Sequence, residues 1–308
     1  MTGFSARRIR PLLGTYVYVD VEAASPQIAM AAIESAFEAI AGIHRAMSFH
    51  STESDLAKLH QAGHLAPISV TARTRTVLEH ALTLAKASDG VFDPTVAPSL
   101  VVHGALPTPA GPKPANGGSW QNIHLHTDGK VSFDRPLWLD LGGIAKGYAV
   151  DCAVEAMQEL GALRGCVNAG GDLRSFGTNP EGFPVAVRNP GNPAEQIPLG
   201  RIQDKAIATS GDYFLGRSSG ANWLSPIVDP RRGTRSAHCR SVTVVAAKCV
   251  LADGLTKIVS LLGKESQTLL ERFGACAAII EPPEKIHVSR GFWEAVGHGT
   301  PAGEPIHA

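Results

Sequence analysis

No apolar run in these 308 residues is long enough to span a bilayer, so no membrane-spanning helix is predicted. The five cysteines (Cys152, Cys166, Cys239, Cys249, Cys276) form no C-x-x-C pair and are odd in number, which argues against a structural zinc site and a complete disulfide framework. Buried free thiols are expected instead, and they suit a reducing compartment. Neither charge is in excess, since 28 basic and 28 acidic residues cancel, so nothing in bulk electrostatics points to nucleic acid or an anionic membrane. Both the G-x-G-x-x-G dinucleotide fingerprint and the P-loop ending in G-K-[ST] are missing, and no internal repeat is found. Arg7, Arg8 and Arg10 are followed by Pro11 and an alternating strand, not by a signal-peptide core. The chain as given therefore reads as cytoplasmic, or as periplasmic if an export segment was removed.

What is present is a globular composition, 44% hydrophobic and 18% charged, enough for one large packed unit of one or two lobes over 1–308. The organising stretch is 140–151, Asp-Leu-Gly-Gly-Ile-Ala-Lys-Gly-Tyr-Ala-Val-Asp, echoed by Asn168-Ala-Gly-Gly-Asp172. Residues 138–141 read as a short buried strand, Gly142 and Gly143 as a tight turn, and the remainder as a helix stopped by Gly161. A Gly-rich turn entering a helix lets an anion approach main-chain N–H groups that have no partner inside the helix. Such turns also occur for packing reasons alone, so Asp140 is equally readable as a cap and Lys146 as a solvated helix residue.

Along the chain, strand 15–21 precedes a helix opened by Ser25-Pro26, and Ser54 is placed to cap a short helix after the loop carrying His50. Residues 71–87 form a second helix, 91–96 an extended segment, and 105–119 an exposed Pro- and Gly-rich connection. A hairpin is expected over 123–133 around Asp128-Gly129. Strands follow at 163–167, 184–187, 205–209, 222–228, 241–246 and 276–280, with a helix over 249–262 stopped by Gly263. The predicted class is α+β, with mixed or antiparallel sheets and packed helices. Thr209, Ser210 and Asp212 either line the central cavity or form an ordinary capped turn, and Asn168 and Asp172 flank the second Gly-Gly turn.

Several separated segments resemble one family. They are Leu13-Gly14-Thr15, Met47-Ser48-Phe49-His50, Phe92-Asp93-Pro94-Thr95-Val96, the two Gly-Gly stretches, 208–213, Val228-Asp229-Pro230-Arg231, and Ala252-Asp253-Gly254-Leu255-Thr256. In this order they are similar to the ApbE-type flavin transferases, over roughly 11–280. The resemblance implies a magnesium-dependent reaction. FAD is cleaved at its pyrophosphate, FMN is joined by a phosphoester to a Thr or Ser of an acceptor flavoprotein, and AMP is released. By position, Leu13, His50, Val91, Phe92, Asp93, Asp140, Lys146 and Val228 would touch FAD. Gly143 through its carbonyl, Asp253, Thr256 and Lys257 would fall at the metal, and Asp253, Lys257 and Lys146 would carry the chemistry.

Two departures from the family pattern stand out. Lys257 replaces a frequent Thr, and an ammonium cannot ligate a metal. Either Lys257 turns aside from Mg²⁺, the preferred reading, or it replaces one cation and contacts the phosphate. A plainer role is an ion pair with Asp253 one helical turn away. Pro226 stands where the family often has a histidine, which removes a proton acceptor; His50 and His238 are the substitutes considered. The rival functions are an FAD pyrophosphatase and a non-catalytic FAD-binding protein.

Overall fold

The computed structural model describes residues 3–115, 118–192, 194–211, 217–219, 222–224, 227–236, 240–282 and 285–297. Asp212, Tyr213, Pro226, His238 and Cys239 lie outside them.

The chain opens with the hairpin β1 (Phe4–Leu12) and β2 (Thr15–Ala23). Helices α1 (Pro26–Met47), α2 (Asp55–Ala62), α3 (Ala72–Ala87) and α4 (Ala97–Val102) follow, with the short strand β3 (Ile68–Ser69) before α3. Ser25, Ser54 and Thr71 each accept an N–H from the first turn of the helix they precede, a capping role expected of Ser25 and Ser54 and found also at Thr71. The hairpin β4 (Ile123–Leu125) and β5 (Lys130–Phe133) turns at Gly129, with φ +85°.

Next come α5 (Ala145–Glu159), β6 (Ala162–Ala169), β7 (Asp172–Phe176), β8 (Phe183–Arg188), β9 (Gln196–Ile202) and β10 (Ala206–Gly211). Short strands β11 (Arg217–Ser219), β12 (Asn222–Leu224), β13 (Val228–Asp229) and β14 (Thr234–Arg235) lead to β15 (Ser241–Ala246). The described chain closes with α6 (Cys249–Leu262), α7 (Gln267–Arg272), β16 (Cys276–Glu281), β17 (Lys285–Val288) and α8 (Phe292–Ala295).

Eight strands form one sheet in the order β1-β2-β6-β7-β10-β15-β16-β17, every neighbouring pair antiparallel. Side-chain alternation assigns its two faces. Val17, Val19, Val21, Val167, Ala206, Ala208, Val242, Val244 and Ile279 point into the main core, packed with α1, α5 and α6. Cys166, Leu173, Ile207, Val245, Ala278 and Ile280 point the other way, under the β8–β9 hairpin and α8. That second cover does not reach the outer strands, so Tyr16 and Tyr18 remain 62% and 47% exposed. The expected α+β class with antiparallel pairing is thus observed. Cys152, Cys166, Cys249 and Cys276 are buried free thiols, and no described helix is long and apolar enough to cross a membrane.

Two expectations need correction, and several elements are additional to those expected. Trp138, Leu139 and Leu141 are buried, but residues 138–141 belong to no strand, because their main chain bonds elsewhere: Leu139 N–H donates to Nε2 of His60 at 2.9 Å and Asp140 N–H to the Pro94 carbonyl at 2.8 Å. The segment 91–96 is not extended throughout, since Pro94–Val96 closes a 3₁₀ turn that Asp93 caps. Strand β1, the β7 and β9 ladders and the last elements β17 and α8 were not anticipated.

Helices α5 and α6 cross at Gly147. A Cβ there would lie 2.3 Å from the Cys249 carbonyl oxygen and 2.7 Å from Asp253 Cβ, so only glycine permits this approach. The contact brings the first turns of both helices together.

Candidate active site

Each of the two crossing helices sends an aspartate to the other's N-terminus. From α5, Asp151 accepts the N–H groups of Cys249 and Val250, each at 2.9 Å. From α6, Asp253 accepts Gly147 N–H at 3.0 Å. Neither helix has a side-chain cap of its own, so these bonds satisfy donors that would otherwise be orphaned. Asp140 does not cap α5, as one reading of the sequence had it; its Oδ1 accepts Gly142 N–H at 2.9 Å, within the turn.

Around Asp253 the charges converge. Lys257, one turn along α6, places its ammonium on Asp253 Oδ1 and 3.1 Å from the Asp253 carbonyl oxygen. Lys146, in the first turn of α5, bonds Asp172 at the start of β7 and stands 3.9 Å from Asp253 Oδ2. Asp172 and Asp253 side chains are 2% and 0% exposed, so both carboxylates depend on these ammoniums. Thr256 donates its hydroxyl to the Asp253 carbonyl at 2.6 Å and pairs with Ser210 Oγ at 2.7 Å, tying α6 to the end of β10.

These contacts set the protonation states. Burial pushes the Asp253 carboxyl up, but Lys146, Lys257 and the Gly147 N–H outweigh it and hold it below the ordinary carboxylate range. Burial and the nearby Asp253 charge push Asp172 up to about 6, against the pull of Lys146 and Lys257. Burial would lower Lys146, yet Asp172 and Asp253 raise it, so it stays a cation. Asp140 is raised mainly by burial, and it senses the charges of Lys257, Asp253 and His50.

The two Gly-Gly turns work differently. Gly170 and Gly171 have φ of +64° and +102°, conformations that favour glycine. Gly142 and Gly143 have no positive φ; what matters at Gly143 is the missing side chain. A Cβ there would sit 3.5 Å from Lys257 Cε and 3.6 Å from Phe92 Cε2. Phe92 and the Lys257 stem thus wall the turn.

Of the predicted residues, the fold gathers Asp140, Gly143, Lys146, Asp253, Thr256, Lys257 and Phe92, with His50 in electrostatic range of Asp140. Asp93 is a scaffold: its Oδ1 accepts Thr95 N–H and hydroxyl, and its Oδ2 accepts Trp120 N–H at 3.1 Å. Leu13 turns the β1–β2 hairpin with φ +55°, Val91 is buried in the main core, and Val228 is buried in β13. Lys257 is turned inward onto Asp253, not aside. Asp172 and Ser210 enter the cluster directly, although the sequence offered them only as turn or cavity residues; the signal was their position beside Gly171 and Gly211.

A sequence model described as the ApbE family matches residues 13–280, most of the chain. This chain belongs to the ApbE family. Among its relatives, the FAD:protein FMN transferase of Vibrio cholerae is 33% identical over 236 residues, covering 71% of this chain and 70% of the relative. That of Haemophilus influenzae is 30% identical over 243 residues, covering 72% and 70%. Among solved structures, the flavin transferase ApbE from Vibrio cholerae superposes with a TM-score of 0.80 at 25% identity, over 95% of this chain and 99% of the other. An ApbE protein from Thermotoga maritima gives 0.81 at 26% identity, over 96% and 100%. The ApbE-family match therefore spans both Gly-Gly stretches and the α6 segment whose side chains meet at Asp253.

Proposed function

We infer that this protein is an FAD:protein FMN transferase. The observation that carries this is the meeting of Lys146, Asp172, Asp253 and Lys257 at the α5–α6 crossing of an ApbE-family fold. A phosphoryl transfer needs positioning and stabilisation of negative charge more than covalent help from the protein, and two buried-stem ammoniums beside a Gly-Gly turn supply that.

In the reaction proposed, the hydroxyl oxygen of a Thr or Ser on an acceptor flavoprotein attacks the FMN phosphorus of FAD. The bond from that phosphorus to the bridging oxygen breaks, and AMP leaves with that oxygen. The hydroxyl proton is released, and FMN remains on the acceptor as a phosphoester. Lys146 and Lys257 face the phosphates, Phe92 and the Gly143 backbone wall the flavin side, and Asp140 fixes the turn through Gly142.

Magnesium is the cofactor implied by the family resemblance, and the donor set does not suit it. Mg²⁺ requires near-octahedral oxygen ligands at about 2.0–2.1 Å. Asp253 Oδ1 already takes the Lys257 ammonium, Oδ2 takes Gly147 N–H, and its carbonyl oxygen takes both Thr256 and Lys257. The fourth position, Lys257, has no lone pair to offer. The positive charge acting on the pyrophosphate is accordingly assigned to the two lysines.

Incubating the purified protein with FAD and candidate acceptor flavoproteins tests the function. A covalently yellow acceptor with stoichiometric AMP is expected. Free FMN plus AMP without labelling would mean a pyrophosphatase, and bound but intact FAD a non-catalytic carrier.

A further inference from the structure

We propose that Lys257 is a tethered counter-cation: its ammonium fills the cation position on Asp253, so FAD binds this protein without a divalent metal ion there. The proposal rests on the flavin-transferase reading above.

Three features carry it. First, Lys257 bonds two oxygens of one residue, Oδ1 and the carbonyl oxygen of Asp253, so neither is free to take a metal ion. A metal can reach them only by displacing an ammonium tethered to the same helix, four residues away. Second, the stem is held in place. The Lys257 side chain is only 22% exposed, and its Cγ and Cε lie 3.7 and 3.5 Å from the point where a Gly143 Cβ would be. Glycine leaves a slot that this stem fills beside Phe92, so the ammonium is aimed rather than free to wander. Third, an ammonium has three N–H groups. Two are used on Asp253 among the described residues, and the remaining one is suited to a phosphate oxygen.

The charge pattern agrees with this division. Lys146 pairs with Asp172 and Lys257 with Asp253, so each deeply buried carboxylate of α6 and β7 has its own ammonium. An ammonium carries half the charge of a divalent ion, and the compensation is permanence: it is not lost to a chelator.

The test is FAD binding by the whole protein, followed by flavin fluorescence in excess chelator and in excess Mg²⁺, with Mn²⁺ as a paramagnetic probe of metal binding. For the wild type, the FAD dissociation constant is expected to agree within about twofold between the two buffers, and FAD is expected not to recruit Mn²⁺. Lys257→Thr, which opens the position and offers a hydroxyl, should bind FAD about tenfold or more weakly in chelator and recover with Mg²⁺. Wild-type binding that weakens about tenfold in chelator, or one FAD-dependent Mn²⁺ per chain, would overturn the tethered cation while leaving the flavin reading intact. Absence of FAD binding in both buffers would overturn the flavin reading and this inference with it. Because the decisive comparison uses the wild type, a variant that fails to fold does not blunt it.

Discussion

Asp151 and Asp253 occupy matching positions and do the same local job, yet they are surrounded by different chemistry. Each lies on one of the two crossing helices and accepts N–H groups from the first turn of the other. Asp151 is completed by one guanidinium, that of Arg174 at 2.9 Å, and its bonding is then closed. Asp253 is approached by two ammoniums and has a second buried carboxylate, Asp172, close enough to shift its ionisation. Burial raises the Asp151 carboxyl, while the lysines hold Asp253 low. Arginine gives Asp151 one planar partner, and lysine gives Asp253 compact point charges. The two aspartates thus differ less in position than in how much charge is gathered around them.

Removing Asp253 should have the largest effect. Asp253→Ala leaves Lys146 and Lys257 short of a buried partner and Gly147 N–H unpaired, so a loss of about 3–5 kcal/mol in urea unfolding is expected, together with loss of FAD binding. Retained FAD affinity in a folded Asp253→Ala protein would dissolve the contrast between the two aspartates.

Asp151→Ala sharpens the same contrast from the other side. It removes two N–H acceptors at the start of α6 and frees Arg174, which should cost about 2 kcal/mol by urea titration. FAD affinity should stay near the wild-type value, because Asp151 faces the α6 N-terminus and not the lysine pair.

In the wild type the smallest net effect is on pH dependence, because two buried groups titrate in opposite senses. Asp172 has a folded pKa of about 6 against an ordinary value of 3.8, so the folded state binds its proton more tightly than the unfolded chain. Its contribution is present below pH 3.8 and is lost as pH rises toward 6. His60 acts in the opposite sense: buried beneath Leu139, it is lowered from 6.5 to about 4, and its contribution is present above 6.5 and lost as pH falls toward 4. The two partly cancel in the wild type. Asp172→Asn should therefore become more stable, relative to wild type, as pH rises through this window. A pH-independent difference in urea midpoints would show that Asp172 does not titrate there.

Much of the frame was legible in the sequence because its signals are local. Ser25 and Ser54 announced their helices through side-chain caps, Gly161 and Gly263 marked helix ends, and Asp128-Gly129 marked a hairpin. The buried segment before Asp140 looked like a strand because apolar runs are common to strands and to any core-facing extended chain. Its real partners, His60 and Pro94, are far away in sequence. Strand β1 was obscured by its exposed arginines, which an edge strand tolerates on its open face.

For the site, the sequence by itself determined which chemical groups were available: the two Gly-Gly turns, the aspartates and lysines near them, and a lysine one helical turn from Asp253. Even the Asp253–Lys257 pair was readable, since i and i+4 residues share a helix face. Only the tertiary structure decided that Lys146 would meet Asp172 and Asp253, that Asp151 would cap rather than react, and that Lys257 would lie across Gly143. The physical reason is the crossing at Gly147. A helix crossing is set by the packing of side chains remote in sequence, and no periodicity along one segment records which other segment will press against it.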